Sequence, residues 1–296
     1  MTLSALIESS PLMLIYEVRE RKATKVSFRD FVCPMKAKTV TTPTGKLAVI
    51  GGEKQISDGA IRYNREINVL DTKFCMMKVA ALMKEGRINH SLVPVQEGGI
   101  NSREAVYILG GKNTTRLSSL ERFEFGVNTV SQLKSFRSAL GGQTGIHIAG
   151  KLYYFGGMIE DELNKQILIY EISSDSWSTM TPFNSSNYLP TIDPIVLPVN
   201  KENVLILGGV RKDNNSLCYS LEYVQHYNLP SNYLPYTFSE KSVCGLHSNC
   251  SNFELSDGVF HLITSRRTDN LCYGPNLPEL LKIDPSRQRI SVDSFM

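Results

Sequence analysis

Short apolar runs, four to seven residues long and rich in Val, Ile, Leu, Tyr and Phe, recur along the whole chain, separated by polar and glycine-bearing stretches. Runs of that length and composition predict strands rather than helices. The clearest unit is Gly150–Trp177, GKLYYFGGMIEDELNKQILIYEISSDSW. Its first run closes on Gly156-Gly157. A polar stretch follows, then a second run ending Tyr170-Glu171, a turn, and Trp177.

The unit repeats. LAVIGG, VYILGG, LYYFGG and VLILGG place glycine pairs at Gly51-Gly52, Gly110-Gly111, Gly156-Gly157 and Gly208-Gly209, and GVFHLIT keeps the run but ends on Ile263-Thr264. The slot of Tyr170 is filled elsewhere by Tyr16, Leu70, Phe123, Tyr227 and Ile283. Seven residues on stands an apolar residue in five copies: Met77, Val130, Trp177, Leu234 and Ile290. Asn128, Asp175 and Asn232 sit two residues before it, where turn chemistry is wanted. A period of about 50 residues fits one four-stranded sheet per repeat.

An apolar strand ending in Gly-Gly, a variable loop, a strand ending in an aromatic plus an acidic residue, a turn and then Trp resemble the kelch repeat. The resemblance covers about residues 11–294. It implies an all-β, kelch-type β-propeller of six blades with the first incomplete or irregular, because a lone sheet with apolar faces is stable only when stacked on similar sheets. One propeller domain is expected over 1–296, with units at 1–30 (partial), 31–84, 85–134, 135–182, 183–238 and 239–296. In the fourth unit the strands are expected at 137–149, 151–156, 166–171 and 176–181. MLIYEV and ATKVSF supply the last two strands of the first blade, and TLSALIE serves as its second. CMMKVAALMKEG has the composition of an amphipathic helix, but the repeat phase places an outer strand near 74–79. Tyr107, Tyr153 and Phe260 share a slot expected to pack between blades.

Composition excludes more than it selects. The 296 residues carry 32 basic and 29 acidic side chains, a net charge of +3, so no nucleic-acid surface is expected. No run is long enough to span a bilayer, and the first ten residues lack a secretory pattern; no membrane association and a cytoplasmic location are the expectations. The six cysteines are expected to be reduced.

Catalytic patterns are sparse. The five histidines, His90, His147, His226, His247 and His261, fall one per repeat at different phases, and no nucleophile elbow or phosphate loop occurs. Cys244, His247, Cys250 and Cys272 have poor spacing for zinc, and Glu160-Asp161-Glu162 looks like a solvated loop. No catalytic residue, metal or cofactor is assigned. The loops joining second to third strands and blade to blade emerge on one face, which in proteins resembling this one commonly binds peptides. Arg62, Arg65, Arg87, Arg116, Arg137, Arg211, Arg266 and Arg267 fall there, and arginine forks suit carboxylates or phosphates. The expected function is a non-catalytic module binding a protein or peptide partner, as adaptor or substrate receptor. The alternative is a propeller enzyme acting on a sugar or small metabolite. Tyr170, Trp177 and the glycine pairs are scaffold, since other copies fill the slots of Tyr170 and Trp177 with Phe, Leu, Val or Ile.

Overall fold

A computed structural model describes residues 2–6, 10–17, 20, 22–56, 59–71, 76–98, 103–182, 188–212, 218–220, 223–239, 246–247, 253–256, 259–266, 277–284 and 289–294. The protein is all-β, and no helix occurs among these residues. It divides into two compact units, residues 1–141 with 250–254, and 142–249 with 255–296.

The first unit opens with an antiparallel sheet of Thr2–Leu6, Leu12–Glu17 and Lys22–Ser27. Two four-stranded antiparallel meanders follow. One is Lys38–Thr41, Leu47–Ile50, Glu66–Asp71 and Met76–Leu82; the other is Ser91–Glu97, Arg103–Leu109, Leu120–Glu124 and Thr129–Leu133. Met76–Leu82 is therefore a strand, as the repeat phase requires, although it runs three residues past the end expected at 79. The strand carries a β-bulge, since opposite Ile67 and Asn68 its register shifts and leaves Ala80 outside the ladder.

The second unit contains Thr144–Ile148, Lys151–Phe155, Ile167–Glu171 and Ser176–Met180, then Ile195–Pro198, Asn203–Leu207, Tyr223–Asn228 and Tyr233–Ser239. The inner strand of the first of these is shorter than the sequence led us to expect, because 134–143 is spent on the connection between sheets. In the last sheet Leu246–His247 pairs Val259–Arg266, followed by Leu277–Asp284 and Arg289–Ser294.

Neighbouring sheets pack face to face. Val40, Ala48, Ile50, Ile67 and Met83 bury against Leu92, Val106, Ile108, Phe123 and Phe125. In the second unit Ile146, Phe155 and Ile167 meet Val196, Val204, Ile206 and Tyr227. Each such side chain contributes about 1.5–3 kcal/mol on burial, so stacking is what stabilises sheets this small. Tyr153 packs against the second cluster as expected, while Tyr107 is buried and turns its hydroxyl onto Glu97 at 2.7 Å. Phe260 lies outside the residues whose side chains are described.

The glycine pairs join one sheet to the next. All eight glycines have positive φ, between 58° and 91°. The second glycine of three pairs donates its N–H to a carbonyl of the loop entering the next sheet: Gly52 to Arg87, Gly111 to Leu140, Gly157 to Thr191, at 2.8–2.9 Å. A Cβ on Gly111 would lie 2.4 Å from the Ile88 carbonyl oxygen, and one on Gly156 2.2 Å from that of Thr191. Only glycine fits both the left-handed backbone and this approach.

A further landmark accompanies the pairs. Lys36, Asn89, Gly142 and Asp193, spaced by 53, 53 and 51 residues, all have positive φ two residues before an inner strand. Each turns the chain from the loop between sheets into the new sheet.

Candidate functional site

The loops between second and third strands, together with those between sheets, carry Arg62, Arg65, Arg87, Arg116, Arg137 and Arg211, whereas Arg266, expected in a loop, ends the strand Val259–Arg266. These loops are compact. Glu53–Gln55 pairs with Ile61–Tyr63, Met158–Ile159 with Glu162–Leu163, and Val210–Lys212 with Cys218–Ser220 as short antiparallel ribbons. In 112–117 the Asn113 side chain accepts from the Thr115 amide at 3.0 Å, and Leu117 N–H donates to the Gly111 carbonyl at 2.9 Å.

The arginines do not form one surface. Arg87 is fully buried, which corrects its placement on an open face. Its guanidinium donates to the Gly110 carbonyl at 3.0 Å, to Ser119 Oγ at 3.1 Å and to Glu121 Oε1. The other Glu121 oxygen accepts the Lys84 amide at 2.9 Å. Burial lowers the Arg87 pKa, with Glu121 and Glu85 opposing that shift. The pair thus clamps the 83–90 connection onto the third strand of the following sheet. The slot of Glu121 holds Asn68, Leu168 and Gln225 in other sheets. Gln225 does the same work without charge, holding Leu189 through its amide N–H at 2.8 Å and its carbonyl at 2.9 Å. The Arg87–Glu121 pair is scaffold.

Arg65 is exposed, yet its Nε is committed to the Met83 carbonyl at 2.7 Å. Arg116 is half-buried. Arg137 is exposed, with its guanidinium 5.8 Å from the Phe136 ring centroid. Arg62 is exposed on its ribbon and Arg211 half-exposed on another, and neither makes an ion pair among the described residues. By contrast the ribbon's Lys54 is paired with Glu66 at 2.9 Å, and Lys36 with Glu53 at 2.7 Å. The Arg266 side chain and Arg267 lie outside the described residues, as do Cys244, Cys250 and Cys272.

His90 is also fully buried. Neither ring nitrogen makes a hydrogen bond of normal geometry, and the ring packs beside Gly51. Burial, then the charges of Lys38 and Arg87, hold its pKa well below the usual imidazole range. Its slot is Gln143 in the next sheet, where Nε2 donates to the Met158 carbonyl at 2.9 Å. Glu160, Asp161 and Glu162 are exposed at a ribbon tip, and no group of three metal-ligating side chains occurs among the described residues.

No protein-family model matches the sequence, and no curated protein sequence matches it. The structure is similar to that of YjhT. That likeness has a TM-score of 0.70 at 10% identity and covers 99% of this chain and 94% of YjhT, a β-propeller-type structure. The fold is of β-propeller type. The comparison also overturns the non-catalytic adaptor expected from the sequence, and that expectation is not carried further. The arginine surface on which it leaned is divided as well, with Arg87 inside the protein and Arg65 bound to its own backbone. No helix of the described structure is long and apolar enough to cross a membrane.

Proposed function

We propose that the chain is a kelch-type β-propeller of six blades, the first incomplete or irregular, acting as an enzyme on a sugar or other small metabolite that carries a carboxylate or phosphate. Support for the kelch type comes from the glycine pairs, whose left-handed backbone recurs at all four copies and whose link to the next sheet recurs at three. The observation carrying the ligand class is that Arg62 stands exposed on its ribbon with no acidic partner among the described residues. An arginine fork without an internal carboxylate is free to take one from a ligand. The short, internally bonded loops favour a small, rigidly held substrate over an extended chain, since preformed walls hold reacting groups best. Calorimetric titration of the full chain with carboxylated and phosphorylated sugars tests this reading. Binding that weakens by tenfold or more in Arg62→Ala supports it; equal affinity for neutral and anionic sugars overturns it.

A further inference from the structure

In an antiparallel ribbon, residues directly opposite each other point to the same face, with their Cβ atoms about 4.5–5.5 Å apart. The ribbon of Glu53–Gln55 and Ile61–Tyr63 sets Lys54 opposite Arg62, and both are exposed. Like charges in that relation repel, and the other two ribbons avoid it: Ile159 faces Glu162, Arg211 faces Tyr219 and Lys212 faces Cys218. The two cations are nevertheless held together by a braced backbone. Glu53 exchanges hydrogen bonds with Met35 at 2.8 and 3.1 Å on the far side of the ribbon, and Asn64 donates its amide N–H to the Gly52 carbonyl at 2.8 Å. Glu66, which opens the third strand, accepts one N–H of the Lys54 ammonium at 2.9 Å and keeps that side chain from turning away.

We infer that the anionic group taken by this ribbon is a phosphate monoester rather than a carboxylate, held by Arg62 and Lys54 together. The inference rests on the reading of Arg62 as the arginine that binds the substrate, and it narrows the ligand of that same site. An arginine fork in bidentate contact uses both oxygens of a carboxylate, in one plane. Such a ligand has little left for a second cation across the ribbon. A phosphate monoester carries three terminal oxygens, set tetrahedrally, and a charge of about −1.5 to −2 near pH 7. Two of its oxygens meet the Arg62 fork while the third turns to Lys54, whose ammonium keeps donors to spare after Glu66 has taken one. Its larger charge also offsets the repulsion between the two facing cations, which a ligand bound to Arg62 alone leaves in place.

NMR titration of the full chain with inorganic phosphate and, at matched ionic strength and pH, with acetate tests the inference through the backbone amides of Lys54 and Arg62. The expected result is a saturable shift of both amides, with phosphate bound about tenfold more tightly than acetate or better. Lys54→Ala should weaken phosphate by about tenfold and leave acetate unchanged, whereas Arg62→Ala weakens both. Lys54→Gln provides a second variant should Lys54→Ala disturb the amide spectrum beyond the ribbon. Equal affinity for the two anions, with both weakened in Arg62→Ala, overturns the phosphate assignment and leaves the anionic-substrate reading standing. A phosphate preference indifferent to both Lys54 variants overturns the assignment as well. Binding that survives Arg62→Ala unchanged, or no binding of either anion, overturns the assignment and that reading together.

Discussion

Arg87 and Glu121 form an ion pair with no solvent exposure on either side chain, joining the connection between two sheets to the third strand of the second. Removing one member leaves a buried charge unpaired, at a cost of about 3–5 kcal/mol. We expect Glu121→Leu to cost that much, although leucine is native to this slot at Leu168. The double variant Arg87→Met/Glu121→Leu should recover a large part of the loss. Urea denaturation of the three variants measures both effects.

Gly111 and Gly150 separate two reasons for glycine. Both have positive φ, but a Cβ at Gly111 meets the Ile88 carbonyl oxygen at 2.4 Å whereas Gly150 has open space around it. Gly150→Ala should cost only the left-handed backbone strain, about 1–2 kcal/mol. Gly111→Ala should cost clearly more, because two hydrogen-bonded backbone segments must part. Thermal denaturation ranks the pair.

His90 makes stability depend on pH in a definite direction. Its pKa is lowered in the folded state by burial and then by Lys38 and Arg87, so below about 6.5 the unfolded chain takes up a proton that the folded chain refuses. Stability from this residue is full above that pH and falls as acid is added. His90→Gln, copying Gln143 of the next sheet, should leave stability near neutrality intact and flatten the decline between about pH 6.5 and 5. Denaturation midpoints across that range, for both proteins, decide it.

Tyr170 donates its hydroxyl to Asp175 Oδ1 at 2.7 Å, and Asp175 holds the hairpin turn at a φ of 46°. Tyr227 and Asn232 repeat the arrangement. Phe123 keeps the ring without the hydroxyl, above a turn held by Asn128 with a φ of 56°. Tyr170→Phe should therefore fold normally and lose about 0.5–1.5 kcal/mol, the ordinary worth of one hydrogen bond. Denaturant midpoints would reveal a larger loss if the ring depended on its hydroxyl.

These pairs show what the chain made legible. Glycine pairs and the Tyr170 slot repeat as residue types, because each meets a steric demand few residues satisfy; the sheets follow from them, including the strand at Met76–Leu82. The turn at Lys36, Asn89, Gly142 and Asp193 repeats only as a backbone angle, so unlike side chains conceal it. The Arg87–Glu121 clamp was hidden for a related reason. Its partners lie 34 residues apart, and Gln225 performs the equivalent task elsewhere with an uncharged amide. A loop arginine therefore looked the same in sequence whether it stood exposed, as Arg62 does, or in the interior, as Arg87 does.

The most direct test of the enzyme reading is turnover. The full chain should be incubated with mixtures of carboxylated and phosphorylated sugars and followed by NMR against a heat-denatured control. The account predicts conversion of at least one anionic sugar, reduced tenfold or more in the Arg62→Ala variant with folding unchanged. No conversion across the mixtures, or conversion equally fast in that variant, contradicts it.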